Sequence, residues 1–326
     1  MRYRKQFFYL GKKIVVFLCS LLVQSVLVFT ISRLTPTDPL QSYYGERVEK
    51  MSVEEKEAAR DRLGLNDSVP VQYMRWIQNA FRGDFGISYK YRQPVTQVVQ
   101  GRIGNTIILG GIGFVLTFAG ALLLGLFCAA KENSLFDRIM CKIGTLSSCI
   151  PEFWLALVFI LIFCVIWKVL PSSGAYTIGQ ETNLTDRIRH LILPMTVVVL
   201  EHLWYYAYMI RNRLLDETRR EYVLLCKAEG MSRRQVMSRH CLRNIMPTYI
   251  SLMAISVPHI LGGTYIVETV FSYPGIGTLS YESARYGDYN MLMILCLLTG
   301  AVVIFCNMIG QIINEQIDPR VRSERG

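Results

Sequence analysis

Five runs of apolar residues, free or nearly free of charge, punctuate the chain at Ile14–Ser32, Ile103–Ala130, His190–Ile210, Asn244–Val267 and Tyr289–Asn314. A hydrocarbon layer about 30 Å thick needs roughly 20 helical residues at 1.5 Å each, and every run is about that long. Glu201 falls in the middle of the third run. A further stretch, Ile143–Leu170, is interrupted by Glu152 and Lys168 but leaves Phe153–Trp167 uncharged. The pattern predicts an all-α integral membrane protein with six transmembrane helices.

The polar segments carry helical signals of their own. Ser52-Val53-Glu54-Glu55 matches a capping box, in which a hydroxyl accepts from the backbone three residues on and a carboxylate reaches back, and Gly64 can close the helix it opens. Val71–Phe81 has apolar spacing suited to a second helix, and Gly83-Asp84-Phe85-Gly86 reads as a turn. Residues 33–102 are therefore expected to form a small cap between the first two spans, against the simpler alternative of a loop that braces them. Between the fourth and fifth expected spans, Thr218-Arg219-Arg220-Glu221 is a second capping-box pattern, and Gly230 is a natural residue for the far end of that helix. Ser232-Arg233-Arg234-Gln235 is a third box, whose helix can run to about Arg243 before Pro247 opens the next span. Helix, glycine hinge, helix is more than a connection needs. It suits a docking surface, and it also suits an amphipathic pair lying on lipid headgroups.

Charge orients the helices. Of 326 residues, 52% are hydrophobic and 18% charged, below the roughly one quarter that a water-facing surface needs, which excludes an ordinary soluble fold. Arg2, Arg4, Lys5, Lys12 and Lys13 precede the first run without an acidic partner and hold the N-terminus in the cytoplasm. Six crossings return the C-terminus to the same side. Residues 211–246 are then cytoplasmic, with nine Lys/Arg against four Asp/Glu, whereas 33–104 are external with eleven against nine. The net charge of +10 thus flanks the spans and forms no stripe interleaved with aromatics, so the bilayer is an expected partner and nucleic acid is not. The first run passes into Arg33 without an A-x-A-like site and reads as an uncleaved anchor. The nine cysteines fall in spans or cytoplasmic loops and show neither a disulfide framework nor the spacing of a zinc site. No Walker lysine is suitably placed, so any ATP hydrolysis belongs to a partner, and no cofactor is expected. The expected segments are a cytoplasmic N-terminus with the first span (1–32), the external cap (33–102), a membrane core (103–316) and a cytoplasmic tail (317–326).

Glu221–Pro247, with Ala228 and Gly230 at its centre and Leu242-Arg243-Asn244 before the proline, resembles the EAA loop of bacterial ABC importer permeases. Along the chain follow Leu34-Thr35-Pro36-Thr37-Asp38-Pro39, Leu63-Gly64-Leu65, Val71-Gln72-Tyr73, Gly83-Asp84-Phe85-Gly86-Ile87-Ser88, Ile150-Pro151-Glu152-Phe153-Trp154-Leu155, Val267-Glu268-Thr269-Val270-Phe271-Ser272-Tyr273-Pro274-Gly275 and Asp318-Pro319-Arg320. In that order they are similar to segments of the dipeptide, oligopeptide and nickel permease family, and the resemblance covers nearly the whole chain. Thr37 stands where Gly is common, and Cys226-Lys227 precede Ala228 where smaller residues are usual. The resemblance implies a non-catalytic permease subunit of the bacterial cell membrane. Its implied partners are a second homologous permease, two cytoplasmic ATPase subunits and an extracellular or periplasmic solute-binding protein. Residues 211–246 would be the coupling loop, with Glu221, Ala228, Glu229 and Gly230 coupling to the ATPase. The substrate stays open between peptides and nickel or a metal chelate, with peptides favoured by the breadth of the family.

A charge near the centre of a spanning helix costs at least about 2.5 kcal/mol, so each ionisable residue there needs a reason. Glu201 and His202 in the fourth span, His259 midway along the fifth and Glu268 near its outer end are candidates for the translocation pathway. Carboxylate and imidazole could attract a cationic peptide terminus or transiently ligate a metal, although no metal site is assigned. The alternative is pairing with one another, or with Asn307 and Gln311, across packed helices. Neighbouring helix positions point about 100° apart, so Glu201 and His202 are not expected to face one line squarely. Glu152, directly after Pro151, reads as a charge at a helix N-terminus. A solitary ion-coupled transporter could use these groups but would normally show repeat symmetry and needs no docking pair. A membrane enzyme would cluster polar catalytic groups, and His190, His202, His240 and His259 show no metal-ligand spacing.

Overall fold

The computed structural model describes residues 2–34, 40–45 and 47–317, and within them it is helical without a strand. An isolated antiparallel bridge joins Ile87 and Pro94. Positions 35–39 and the signature Asp318-Pro319-Arg320 lie outside the described residues. In chain order the helices are α1 (Arg2–Leu34), α2 (Gln41–Tyr44), α3 (Arg47–Lys50), α4 (Val53–Leu63), α5 (Val69–Phe81), α6 (Val95–Thr106), α7 (Gly113–Ala130), α8 (Leu135–Ser147), α9 (Glu152–Phe159), α10 (Leu184–Thr218), α11 (Glu221–Ala228), α12 (Arg233–Val236), α13 (Leu242–Val270), α14 (Ile276–Tyr286) and α15 (Tyr289–Ile317). Wider π turns at Ile107–Ile112, Ile160–Ile166 and Met237–Cys241 link or extend several of them.

Five stretches are long and apolar enough to cross a membrane: Gly11–Leu34, Val95–Ala130, Leu184–Thr218, Arg233–Val270 and Tyr289–Gln316. They contain all five uninterrupted runs and overshoot them, because a helix continues into polar turns wherever side chains find water or partners. The sixth span is different from the expectation. Ile143–Leu170 is no single helix; Leu135–Ser147 and Glu152–Ile166 meet at 109°. Pro151 has no N–H to continue α8 and drives its predecessor out of helical conformation, so the chain restarts at Glu152.

Caps settle the shorter elements. Ser52 and Glu55 close the expected box on α4, with Ser52 N–H donating to Glu55 at 2.8 Å, and Gly64 ends that helix at φ +65°. The box at Ser232 and Gln235 also forms. Thr218 does not cap α11: it lies in the last turn of α10, where its hydroxyl donates to Leu215 O at 2.8 Å, and Arg220 takes the capping position. The break expected before Pro247 is absent as well, since Pro247 and Pro258 both lie inside α13 and Pro194 lies inside α10. Packed neighbours compensate for the lost bond in such helices. Helix α14 after Gly275 was not visible as a periodic signal.

The chain divides into two compact units. The first holds residues 1–104 and 274–305, so the cap segment packs with α1 and with the α14 region and is no separate body. Within it Val95, Val98 and Val99 of α6 bury against Ile276 and Leu279 of α14 and Met291 and Leu295 of α15. Phe29 of α1 meets Tyr73 and Trp76 of α5 at 5.4 and 5.7 Å between ring centres, and Tyr73 shares a 2.7 Å hydrogen bond with Ser25.

The second unit, residues 105–273 with 306–326, is built around α7, α10 and α13. Phe118 of α7 stacks obliquely on Tyr206 of α10 at 4.7 Å, and Tyr249 of α13 donates its hydroxyl to Phe118 O at 3.0 Å. With lipid outside as apolar as the core inside, such close packing and paired polar groups, not the removal of oil from water, decide how spans associate.

Candidate functional site

The connection between the fourth and fifth spans is a built surface. Helix α11 buries Val223 and Cys226 in the same core as Val236, Met237 and Cys241. Its opposite face carries Leu224 and Leu225, 66% and 62% exposed. The helix ends in a Schellman motif: Gly230 N–H donates to Lys227 O at 3.0 Å and Met231 N–H to Cys226 O at 3.1 Å, with Gly230 at φ +83°. The expected coupling residues Glu221, Ala228, Glu229 and Gly230 all lie on the exposed surface of this element. Leu224 and Leu225 were missed; two adjacent leucines among charged neighbours were the signal.

Polar contacts fasten α11 to its surroundings. Tyr222 donates its hydroxyl to Glu217 Oε1 at 3.0 Å and also lies 3.6 Å from Cys241 Sγ. Burial first, then these two hydrogen bonds, push the Tyr222 phenol above its usual range. Asn244 Nδ2 reaches the same Glu217 oxygen at 3.0 Å. Glu132 lies 3.4 Å from Arg219 and 3.5 Å from Arg233, and Arg233 also donates to Ala129 O at 3.2 Å. Arg211 of α10 grips the buried Asp137 of α8 through two bonds of 2.9 and 2.7 Å.

A second constellation lies within the spans. Glu152 of α9 and Glu201 and His202 of α10 bring one possible ligand atom each within 4.8 Å of the others. Glu201 Oε2 is 2.7 Å from His202 Nδ1, and that nitrogen also lies 3.1 Å from Val198 O. The imidazole folds back along its helix, which is how two neighbours 100° apart still meet. Glu152 Oε2 and Glu201 Oε2 are both buried without an aligned hydrogen bond. Gly263 of α13 makes room for Glu152: a Cβ there would stand 2.6 Å from Oε1. Glu152 is thus more than a charge at a helix start, and nothing local in the sequence revealed its meeting with Glu201.

The remaining candidates separate. His259, beside Pro258, is exposed on α13. Glu268 is fully buried and accepts the Thr106 hydroxyl at 2.6 Å, so it packs inside the helices.

The profile of the family described as binding-protein-dependent transport system inner membrane component matches residues 121–323, and that of its N-terminal region matches 6–110. The oligopeptide transport system permease protein AppB of Bacillus subtilis is 30% identical over 298 residues, covering 91% of this chain and 93% of its own. Two inward-facing crystal forms of the MetNI methionine ABC transporter share the fold, with TM-scores of 0.56 and 0.55 at 16% and 17% identity; each covers 68% of this chain and 97% of its own.

Proposed function

The chain belongs to the binding-protein-dependent transport system inner membrane components, and from that premise we propose that it is one of two homologous permeases enclosing the pathway of a peptide importer. It is a multi-pass protein of the inner membrane and a translocation-pathway subunit of an ABC transport system. Such systems draw ATP hydrolysis and solute capture from partner proteins. Here two cytoplasmic ATPases and an external binding protein fill those roles, and this chain is non-catalytic. Residues 1–32 anchor the cytoplasmic N-terminus, 33–102 lie outside, 103–316 form the core and 317–326 the cytoplasmic tail.

The outward face of α11 carries this reading. Leu224 and Leu225 project from a helix already seated on its own chain, with Glu221 and Lys227 beside them. Exposed leucines rimmed by charge suit the groove of a protein, where apolar contact holds and charge orients. A helix transmits displacement, so a partner that moves α11 can rock the spans and open the pathway to each side in turn. His259 supports the pathway: an imidazole exposed in the middle of a span is costly against lipid, and water or a second permease covers it better. Glu201 and His202, with Glu152 now beside them, stay candidates for the same pathway. The similarity to an oligopeptide permease supports peptide cargo over nickel.

Two measurements test this. Leu224→Asp with Leu225→Asp is expected to abolish co-purification of the ATPase while membrane insertion persists; undiminished ATPase overturns the docking. In cells with and without the chain, uptake of a labelled peptide is expected to depend on it, and dependence of nickel uptake alone overturns the substrate.

A further inference from the structure

We propose that Glu217 is a positioning residue that locks the docking helix to the two spans flanking it, so that movement of α11 reaches both at once. The inference rests on α11 being the ATPase-docking helix and goes beyond it, since docking needs only the outer face of α11.

One oxygen makes the linkage. Glu217 sits in the last turn of α10, and its Oε1 accepts both the Tyr222 hydroxyl of α11 and the Asn244 amide at the start of α13, each at 3.0 Å. Its side chain is 19% exposed, and its second oxygen lies 3.8 Å from the exposed Arg220. Hydrogen bonds to an ionised acceptor are about twice as strong as neutral ones. They are also directional, which matters more here. Val223 and Cys226 give α11 an apolar seat, and apolar contact is non-directional, so a helix held by it alone can rock or slide. The covalent tethers do little to prevent this. Only Arg219 and Arg220 separate α10 from α11, and the Schellman bonds at Gly230 close the far end of α11 on its own last turn without joining it to α10 or α13. The bond from Tyr222 through Glu217 to Asn244 turns a loosely seated helix into a lever rigidly joined to α10 and α13.

Without the carboxylate, a partner would still bind Leu224 and Leu225, yet its movement would be spent in rocking α11 on its seat. ATP would be hydrolysed with little solute moved. The test uses the assembled complex in proteoliposomes with labelled peptide, reading ATPase content, ATP hydrolysis and peptide transported per ATP. Glu217→Ala is expected to keep the ATPase and its hydrolysis while transport per ATP falls roughly tenfold. Tyr222→Phe, which removes one hydroxyl and spares the fold, is expected to lower the ratio about threefold, and the double variant to be no worse than Glu217→Ala. Glu217→Gln keeps an acceptor oxygen for both donors and is expected to retain about half of the wild-type ratio or more. An unchanged ratio in Glu217→Ala with the ATPase bound overturns the linkage and leaves docking intact. Loss of the ATPase from Glu217→Ala also overturns it, because the residue then shapes the docking surface and does not transmit. If Leu224→Asp with Leu225→Asp keeps the ATPase, the docking reading fails and the linkage falls with it.

Discussion

Ser88 and Asp288 stand 200 positions apart, both completely buried, and the serine hydroxyl donates to the aspartate carboxylate. Backbone N–H groups of Lys90 and Met291 reach the same carboxylate, each at 3.3 Å, so one side chain closes the 86–94 turn and opens α15. A buried carboxylate is tolerated only with such donors around it, and removing it leaves them orphaned. Asp288→Ala is expected to cost about 3 kcal/mol and Ser88→Ala about 1 kcal/mol, read as lowered melting temperature in detergent. An Asp288→Ala protein that melts with the wild type would contradict the clasp.

Gly125 of α7 and Gly144 of α8 face α10 too closely for a side chain. A Cβ at Gly125 would stand 3.0 Å from the Ala207 carbonyl oxygen, and one at Gly144 would stand 2.9 Å from that of Trp204. A carbonyl fixed in a helix cannot swing aside as a side-chain tip can, so the helices must part. Gly125→Ala and Gly144→Ala are each expected to destabilise by about 1–3 kcal/mol. Gly262 of α13 has nothing within 4 Å of the same position, and Gly262→Ala is expected to be neutral or stabilising. Equal melting shifts in all three variants would remove close packing as the cause.

These glycines also mark how far the chain is legible without its fold. Span positions follow from one-dimensional hydrophobicity, and the caps at Ser52, Gly64, Gly230 and Ser232 follow from local hydrogen bonding, so all of these could be read directly. The bend at Pro151 could not be given a size, because a proline marks where a helix restarts and only packing decides the angle between residues 135–147 and 152–166. Thr218 failed as a cap because the helix before it continued, a choice made by the burial of Leu214 and Leu215. The meeting of Glu152 with Glu201, and of Glu217 with Asn244, joins side chains well separated in sequence on different helices, and Glu217 meets Tyr222 only across the break between α10 and α11. No local pattern encodes which rotation brings them together.

Acid and alkali act with opposite sign on the cluster in which Glu282 pairs with Lys90 and accepts the Tyr91 hydroxyl. Burial first, then the hydrogen bond to Glu282, pushes the Tyr91 phenol from its ordinary 10.0 up to about 12. Burial also favours the neutral form of Glu282, but bonds from Lys90, 2.7 Å away, and Tyr91, with the charge of Arg102, outweigh it and hold the carboxyl below its ordinary 4.5. A lowered acid contributes stability that is present above its ordinary value and lost as pH falls through the folded one. A raised phenol contributes stability that is present below 10.0 and lost as pH rises towards about 12. Glu282→Gln is therefore expected to flatten the acid side of the stability profile, and Tyr91→Phe the alkaline side. Thermal melts across pH check both; an alkaline decline as steep in Tyr91→Phe as in the wild type assigns it elsewhere.

Gly230 offers a test in which sterics are absent. It adopts φ +83°, yet a Cβ there would meet nothing within 4 Å, so any defect comes from the backbone conformation itself. That conformation costs an ordinary residue about 1–2 kcal/mol and costs asparagine less. The strain can be relieved by fraying the last turn of α11, breaking the bonds from Gly230 to Lys227 and from Met231 to Cys226. Fraying disturbs the docking helix and leaves the spans alone. Peptide uptake is accordingly expected to fall in the order Gly230→Asn, Gly230→Ala, Gly230→Val, while the amount of protein in the membrane fraction stays constant. Uptake measured beside membrane content separates the two effects. Equal losses in the asparagine and valine variants would refute the left-handed turn as the cause, and a parallel loss of membrane protein would place Gly230 in insertion and not in coupling.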